Sequence, residues 1–427
     1  MKYTELSPAA LKAERAACEK KLHTYTERGV ALDLTRGKPA PEQLALSMGM
    51  LDVLDAKSVT DSESGMDCRN YGGPDGIPEA RRLLGHMLGT HTANTIVGGN
   101  SSLELMFLLV SHGMTDGICG ARPWSRVEHR KFLCPAPGYD RHFAITEHFG
   151  FELIPIAMHA DGPDMDAVEA YAADPTVKGI WCVPKYQNPT GVIFSDAVIR
   201  RFAALRPAAE DFRIFWDNAY CIHDFGTDTR KIPDLLTLCE AAGNPDLVYE
   251  FCSTSKISFP GGGISAVAAS PANLIDIKSF LKFATIGPDK LNQLRHARFF
   301  KNSAGLAAQM QKHAALLRPK FEAVYAALHA ELDGTGVGDW TEPRGGYFVS
   351  YNTPRGCAKA VVAMCASLGV RFTPAGATYP YGIDPDDCNI RIAPSFATVE
   401  DVTAATHILA LCTKIVYIDK LLSEEQK

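Results

Sequence analysis

Short apolar runs alternate with helix-favouring stretches through the middle of the chain, from about residue 95 to residue 270. Runs of this length, rich in β-branched and aromatic residues, are typical of buried strands. Strands that alternate with helices predict a mainly parallel sheet covered by helices on both faces, which is an α/β fold. The runs are TIVGG, KFLC, FELIPIAM, GIWCVP, RIFWD, LVYEFC and ISAVAAS.

Helix signals lie on both sides of this region. Ser7 and Pro8 are typical of the first positions of a helix, and Gly29 is typical of its end. Residues 287–332 favour helix with few breakers, which predicts a long helix that could link two domains. A last helix is predicted from Val399.

The C-terminal part, residues 335–427, is typical of a smaller α+β unit, because strand-like runs such as GGYFVSYN and NIRIAPSF alternate with helical ones. The N-terminal segment is too short to bury a core of its own, so we expect it to pack with this unit. The sequence therefore predicts a large domain over residues 51–300 and a small domain made of residues 1–50 and 301–427.

The composition is that of an ordinary globular protein, with 46% hydrophobic and 22% charged residues. The net charge is −6 and no block of lysine or arginine occurs, which argues against nucleic acid and acidic membrane surfaces as partners. The apolar runs, such as LMFLLV at 105–110, are too short to span a bilayer. The charged N-terminal segment lacks the apolar core of a signal peptide, which predicts a cytoplasmic location.

The 12 cysteines form no CxxC pair, and the two closest, Cys357 and Cys365, are eight residues apart. This spacing argues against zinc-ribbon and thioredoxin-like sites, and we predict no metal site. Cys182 and Cys252 lie in apolar runs, so we expect reduced, buried side chains.

Polar and aromatic residues follow the predicted strands, at the edge where an open α/β sheet binds its ligands. A helix that opens with free backbone N–H groups and hydroxyls is also a favourable phosphate site. In chain order these residues are Asn100, Ser101 and Ser102 after TIVGG, Tyr139 after KFLC, Asn188 after GIWCVP, Asp217 and Tyr220 after RIFWD, and Lys256 after LVYEFC.

Pyridoxal 5'-phosphate is a ligand that needs this set of groups. A lysine captures its aldehyde as a Schiff base, and a carboxylate keeps its ring nitrogen protonated. Its ring oxygen accepts hydrogen bonds from an amide and a phenol, and an aromatic side chain covers its flat ring. Its phosphate favours a helix N-terminus with hydroxyls. We therefore predict this cofactor.

The order of the motifs resembles that of the fold-type I, class I/II aminotransferases. From LDLTRGKP (32–39) onward, the chain carries PGYDRH, NPTG, DNAY, STSK and NIRIAPSF in the family's order. One such motif alone is weak, and their order behind predicted strands carries the resemblance. TRGKP, STSKISFPGGG and PRGGYF are most similar to a divergent subgroup of bacterial aspartate aminotransferases.

The resemblance implies catalytic roles at two strand ends. Lys256 would hold the cofactor and move the proton between substrate and cofactor, unless it is a surface lysine in a loop. Asp217 would pair with the ring nitrogen, although a strand-end aspartate can also cap a helix. His142 matches a histidine that supports this aspartate, and a plain loop histidine is the alternative.

The resemblance also implies the other contacts of the cofactor. Asn188 and Tyr220 would bind the ring oxygen, and Tyr139 would stack on the ring, unless PGY is only a turn with a packed tyrosine. Ser253 and Ser255, together with the residues that open the helix after TIVGG, would reach the phosphate.

Tyr71, in NYGGPDGIPEAR, resembles a tyrosine that crosses a dimer interface to the phosphate of the neighbouring subunit. This predicts a homodimer with a shared active site; a turn-rich loop with one aromatic residue is the alternative. Arg391 resembles the arginine that binds the substrate α-carboxylate in a bidentate pair, and a surface strand arginine is its alternative. Gly37 matches the loop that closes over the substrate.

The chain departs from the family pattern at Ile264. The family usually carries an arginine eight residues after the lysine, where it pairs with the phosphate. Another cation, or the backbone N–H groups of the glycine-rich turn, must therefore neutralise the phosphate in this chain.

The resemblance implies a ping-pong aminotransferase that passes the amino group of an amino acid to 2-oxoglutarate. Aspartate as donor follows from the subgroup and would require a second cation, for which we favour Arg36 over Lys38, Arg141 and Lys185. A lyase that eliminates at the β- or γ-carbon would share every cofactor residue. A ligand-sensing regulatory module is a third possibility, but the N-terminal segment offers no basic recognition helix.

Overall fold

The computed structural model describes residues 2–27, 29–226 and 230–424, and its contacts divide these residues into two compact units. The smaller unit holds the described residues up to Ala40, the segment Asn188–Gly191 and the described residues from Ala315 onward. The larger unit holds Pro41–Gln187 and Val192–Ala314. The predicted domain bounds at residues 50 and 300 differ from these, and the division into functional domains stays a prediction.

The strands and helices are numbered along the described chain. The strands are β1 (Leu32–Asp33), β2 (Thr95–Val97), β3 (Lys131–Ala136), β4 (Glu152–His159), β5 (Gly162–Pro163), β6 (Val177–Cys182), β7 (Arg213–Asp217), β8 (Val248–Ser253), β9 (Ser265–Ala268), β10 (Asp339–Trp340), β11 (Val349–Asn352), β12 (Val370–Arg371) and β13 (Asn389–Ile392). The α-helices are α1 (Pro8–Thr26), α2 (Pro41–Ala45), α3 (Pro78–Leu88), α4 (Ser102–Thr115), α5 (Asp140–His148), α6 (Met165–Ala172), α7 (Asp196–Ala204), α8 (Leu235–Ala241), α9 (Pro271–Ala284), α10 (Lys290–Phe300), α11 (Ser303–Leu332), α12 (Ala358–Ser367) and α13 (Val399–Glu424).

An eight-stranded sheet in the order β2-β9-β8-β7-β6-β3-β4-β5 forms the centre of the larger unit. The five strands from β8 to β4 in this order are parallel, while β2, β9 and β5 pair antiparallel with their neighbours. Both faces of the sheet are buried, because Phe215 of β7 packs in one hydrophobic cluster while Ile214 and Trp216 pack in another. Burial on both sides explains why the strands are apolar runs, and the mainly parallel α/β fold is confirmed.

The smaller unit is built from both ends of the chain. β10, β11 and β13 form an antiparallel sheet, and β1 pairs in parallel with β12. α1 begins where the sequence predicts, since the Ser7 hydroxyl accepts a hydrogen bond from the amide of Ala10. α1 also forms an ion pair with α13, in which Arg15 Nε lies 2.6 Å from Asp419 Oδ1. The predicted small α+β unit made of both termini is therefore confirmed.

The predicted long helix over residues 287–332 is two helices, α10 and α11. Lys301 interrupts them with a φ of 64°, and the side chain of Asn302 then accepts hydrogen bonds from the amides of Ala304 and Gly305. A Cβ at Gly305 would lie 1.9 Å from the carbonyl oxygen of Phe300, so the break requires glycine there. The Asn302 cap competes with the continuous helix that the composition favours.

α13 is long and apolar enough to cross a membrane by length and composition alone. However, 67% of its apolar window is buried inside the structure, which is typical of a core helix in a globular unit. The length and composition of α13 are therefore only weak evidence that it crosses a membrane.

Candidate active site

The carboxyl ends of three strands in the parallel part of the larger unit's sheet bring predicted site residues together. Tyr139 follows β3, Asp217 ends β7, and Lys256 follows β8. These ends lie at one edge of the sheet, because the strands are parallel.

Asp217 is buried, with 4% of its surface exposed, and the structure gives it one side-chain partner. His142 Nε2 lies 3.0 Å from Asp217 Oδ2, and its N–H donates a hydrogen bond to the carboxylate. Trp181 stacks on the His142 ring, with centroids 4.6 Å apart and planes 14° apart, and Tyr139 meets the same ring edge-on at 4.8 Å. The imidazole is thus held by packing on its faces and by the carboxylate at its edge.

The second oxygen of Asp217 is suited to a hydrogen bond with a ligand. Oδ1 is buried and makes no hydrogen bond to any residue in the described ranges. An unpaired oxygen of a buried carboxylate is costly, because water has been removed from it without replacement. A protonated ring nitrogen would satisfy this oxygen, which fits the group predicted for this position.

Lys256 lies against Tyr220, with Nζ 5.1 Å from the centre of the phenol ring. Burial lowers the pKa of the Lys256 ammonium, and the Asp217 carboxylate partly offsets this effect. A lysine with a lowered pKa has a larger fraction of neutral amine at neutral pH, and the neutral amine is the nucleophile and proton acceptor.

A buried histidine that the sequence analysis did not single out holds the turn that carries Lys256. His296 Nδ1 lies 2.8 Å from the carbonyl oxygen of Asn292, so this nitrogen carries the proton. His296 Nε2 then accepts from the hydroxyl of Ser258 at 2.9 Å, and it lies 3.1 Å from Thr254 Oγ1. His296 therefore anchors both ends of the turn.

A second buried histidine supports the same turn from α11. His313 Nε2 donates to the carbonyl oxygen of Ile257 at 3.0 Å, and His313 Nδ1 accepts from Gln43 Nε2 at 3.2 Å. The sequence around a histidine in an apolar helix does not indicate that its ring supports a distant turn. These two residues position the lysine through the backbone and hydroxyl groups of its turn.

The burial of His296 predicts a pH dependence of stability. Burial lowers its pKa from 6.5 to about 4, so the unfolded chain binds a proton that the folded chain does not accept between these values. The stabilisation is complete above pH 6.5 and is lost as the pH falls towards 4, by at most about 3 kcal/mol. We expect the free energy of unfolding of a His296→Gln variant to fall less than that of wild type across this range in denaturant titrations. Parallel curves for the two proteins would contradict this assignment.

Two loops of the predicted phosphate site meet in the larger unit. The Ser255 hydroxyl donates to the carbonyl oxygen of Asn100 at 2.7 Å, and Asn100 Nδ2 donates to the carbonyl oxygen of Pro260 at 3.1 Å. The loops line a common cavity of about 400 Å³ with α10. Ser101, Ser102 and Ser253 make no side-chain hydrogen bond to the residues that the structure describes.

Arg391 and Asn188 lie together in the smaller unit. Arg391 Nη1 donates to Asn188 Oδ1 at 3.3 Å and Nη2 donates to Thr373 Oγ1 at 3.4 Å, and these two acceptors are uncharged. The guanidinium lies over the Phe348 ring, with Cζ 4.9 Å from its centre. Arg391 is 7% exposed, so the alternative of a surface strand arginine is wrong.

The loop that carries Arg36 and Gly37 lies beside Arg391 in this unit. A Cβ at Gly37 would lie 2.5 Å from Phe348 Cζ, and Phe348 is the ring on which Arg391 stacks. The Arg36 side chain is exposed and makes no hydrogen bond or ion pair with residues inside the described ranges. Lys38 is instead placed over the Phe396 ring, 3.8 Å from its centre.

The two other candidate cations, Lys185 and Arg141, have different surroundings in the structure. Lys185 is buried and forms an ion pair with Asp224 at 2.8 Å, while it also donates to the carbonyl oxygen of Cys221 at 3.0 Å. Its charge is therefore neutralised within the protein. Arg141, at the start of α5, is exposed.

Tyr71 lies on the surface, with 80% of its side chain exposed, so it packs in no core of this chain. The loop that carries it is fixed, because Lys290 Nζ donates to the carbonyl oxygen of Gly72 at 2.8 Å. Phe283 and Ile286 are also exposed, by 79% and 64%. A Cβ at the adjacent Gly287 would lie 2.6 Å from the oxygen of Gly72, so these apolar side chains neighbour the tyrosine loop.

Comparisons with known proteins agree with this fold. A family model described as aspartate amino-transferase matches residues 6–425. A protein of Mycolicibacterium smegmatis is 45% identical over 100% of both chains, and the aspartate aminotransferase of Corynebacterium glutamicum is 42% identical over 92% of this chain and 91% of that relative. A crystal structure of an aspartate transaminase from C. glutamicum is similar with a TM-score of 0.96, at 40% identity over 98% of this chain and 99% of the other.

The fold and these relatives define an aminotransferase of fold type I, as the motifs predict. The chain belongs to the aspartate aminotransferase family. The alternatives of a lyase and of a regulatory module are not favoured by these relatives.

Proposed function

We propose that the chain is a pyridoxal-phosphate-dependent aminotransferase that moves the amino group of L-aspartate to 2-oxoglutarate in a ping-pong order. The observation that carries the cofactor is the buried, unpartnered Oδ1 of Asp217, at the sheet edge where Lys256 lies. The names of the Corynebacterium relatives support aspartate as the donor.

The donor set of the site fits this cofactor. Lys256 would hold the aldehyde carbon, Asp217 the ring nitrogen, and Tyr220 together with Asn188 the ring oxygen. Tyr139, which already packs against His142, would cover the ring. The phosphate would be bound by Asn100, Ser101, Ser102, Ser253 and Ser255.

When bound, pyridoxal phosphate supplies an electron-withdrawing ring that acidifies the Cα–H of the amino acid and keeps the amino group between the two half-reactions. The chain supplies the proton transfer. Burial lowers the pKa of Lys256 and so favours the neutral amine, which can take the proton from Cα and return it elsewhere. His142 donates a hydrogen bond to Asp217 and thereby keeps that carboxylate oriented.

Arg391 is suited to bind the α-carboxylate of the substrate. Its side chain is buried, stacked on Phe348 and supported by Asn188 and Thr373. A guanidinium held in this way loses little rotational freedom when it forms two parallel hydrogen bonds to a carboxylate.

Arg36 is our choice for the carboxylate in the side chain of aspartate. An Arg36→Ala variant should lose on the order of 10- to 100-fold in kcat/KM for aspartate and keep its activity on neutral amino acids, because it loses one charge-assisted pair. The matched control is Arg371→Ala, which removes an exposed arginine paired with Asp33 on the adjoining strands. Unchanged aspartate kinetics in the Arg36 variant would refute this choice.

A homodimer that shares its active sites agrees with the exposed Tyr71 and its apolar neighbours Phe283 and Ile286. Tyr71 would then reach the phosphate bound by the other subunit. A cytoplasmic location is consistent with this small-molecule chemistry.

Product analysis tests the proposed reaction. Aspartate with 2-oxoglutarate should give equal amounts of oxaloacetate and glutamate, and omission of the oxo acid should stop turnover after one equivalent. Continued release of ammonia without an oxo acid would instead identify a lyase.

A further inference from the structure

The cavity between the two phosphate loops and α10 contains a cation that the reaction described above does not use. Its wall combines the turn Gly98–Asn100, the turn Gly261–Ile264 and three residues of α10 and its cap, Asp289, Asn292 and Arg295. All of these residues belong to the larger unit.

Position 264 cannot supply the charge that the family's phosphate site usually has. The Ile264 side chain is 1% exposed and packs in a hydrophobic cluster with Val97, Cys252 and Leu294. The position therefore faces the core, and an arginine there would place its charge among apolar side chains.

The cavity offers backbone donors for an anion. The N–H groups of Gly99, Asn100, Gly261 and Gly263 make no hydrogen bond to the part of the chain that the structure describes. Asn292 Nδ2 donates to the carbonyl oxygens of Gly262 and Gly263 at 3.0 and 2.9 Å, so these two acceptors are occupied. Unpaired backbone N–H groups of two turns that face one cavity can together bind an anion.

Arg295 is the cation of this cavity. Its side chain is half-buried and makes no hydrogen bond or ion pair within residues 2–27, 29–226 and 230–424. The one carboxylate in the wall, that of Asp289, is engaged as the N-cap of α10, where it accepts from the amide of Asn292 at 2.9 Å. A half-buried guanidinium beside unpaired N–H groups favours a phosphate ligand.

We propose that Arg295 supplies the positive charge that binds the phosphate of the cofactor, in place of the arginine absent at Ile264. This inference rests on the proposed function, because it requires that the chain binds pyridoxal phosphate. In this chain the cation would lie on α10, one helical turn beyond Asn292, and not on the turn after Lys256.

Cofactor titrations of the full-length apoenzyme test this assignment. Pyridoxal phosphate, and separately pyridoxal, which lacks the phosphate, are added while tryptophan fluorescence is recorded. Arg295→Gln should weaken binding of pyridoxal phosphate on the order of 10- to 100-fold and leave binding of pyridoxal unchanged. Arg295→Lys should lie between this variant and wild type, because it keeps the charge but loses the fork of donors.

Arg298→Gln is the matched control, since Arg298 lies on the same helix and donates to the carbonyl oxygen of Val59. It should bind both ligands like wild type. Inorganic phosphate should raise the melting temperature of wild-type apoenzyme and of the Arg298 variant, but not that of Arg295→Gln.

Wild-type affinity for pyridoxal phosphate in Arg295→Gln would overturn the inference, as would an equal loss for pyridoxal. A variant that changes only the KM for aspartate would show that Arg295 binds substrate, which also overturns it. If the wild-type apoenzyme binds neither ligand, the proposed function itself fails, and this outcome is distinct from the others.

Discussion

Replacing Lys256 with alanine should reduce amino transfer by on the order of 10⁴-fold, because the variant loses the group that moves the proton. Burial lowers the pKa of this lysine, and no other amine occupies its position on the turn after β8. Steady-state kinetics with aspartate and 2-oxoglutarate measure the loss. The variant should also lack the yellow absorption of a lysine-bound cofactor.

Two comparisons separate this catalytic role from a structural one. Lys312→Ala removes an exposed lysine of α11 and should keep wild-type activity. A small primary amine added to Lys256→Ala should restore part of the rate, since it supplies the missing proton acceptor. Wild-type activity in Lys256→Ala would show that another residue carries the chemistry.

Replacing Asp217 with asparagine should lower kcat by on the order of 10²- to 10³-fold. Asparagine keeps the shape and an acceptor for His142 but removes the negative charge that holds a proton on the ring nitrogen. The expected loss is in kcat more than in KM, because the charge acts on the reacting ring and not on the substrate carboxylates.

A cofactor analogue methylated on the ring nitrogen tests the electronic part of this prediction. The analogue carries a fixed positive charge, so it should recover activity in Asp217→Asn while native cofactor does not. His142→Asn should cost less than Asp217→Asn, because it removes the support of the carboxylate but not its charge. Equal activity of Asp217→Asn and wild type with native cofactor would contradict the role of this residue.

Much of the fold could be predicted from the sequence because burial on both faces leaves a strong signal. Each of the seven apolar runs contains a strand of the sheet, and Ser7 caps α1. β5 gave no signal, since two residues cannot form a run. The break between α10 and α11 was also missed, because composition favours one helix while the Asn302 side chain starts a new one.

The sequence also located a part of the candidate site, for a topological reason. Residues directly after parallel strands must lie at one edge of the sheet, so Tyr139, Asp217 and Lys256 could be grouped without a structure. His142 beside Asp217 came from the family motif, and the structure gives its distance. Their functional roles stay predictions.

Residues that act from elsewhere in the sequence could not be found in this way. His296 and His313 support the Lys256 turn from two helices, at positions 40 and 57 residues after the lysine. Arg295 reaches the loop cavity from α10. Such contacts depend on helix packing, which leaves no local pattern around the motif that it serves.

The measurement that tests the central claim most directly is the visible spectrum of the purified protein before and after L-aspartate is added without any oxo acid. We expect a yellow protein whose long-wavelength absorption disappears while one equivalent of oxaloacetate forms, because the first half-reaction stops when the amino group has been taken up. A protein that stays colourless after addition of pyridoxal phosphate would contradict the role of Lys256 and with it the proposed chemistry.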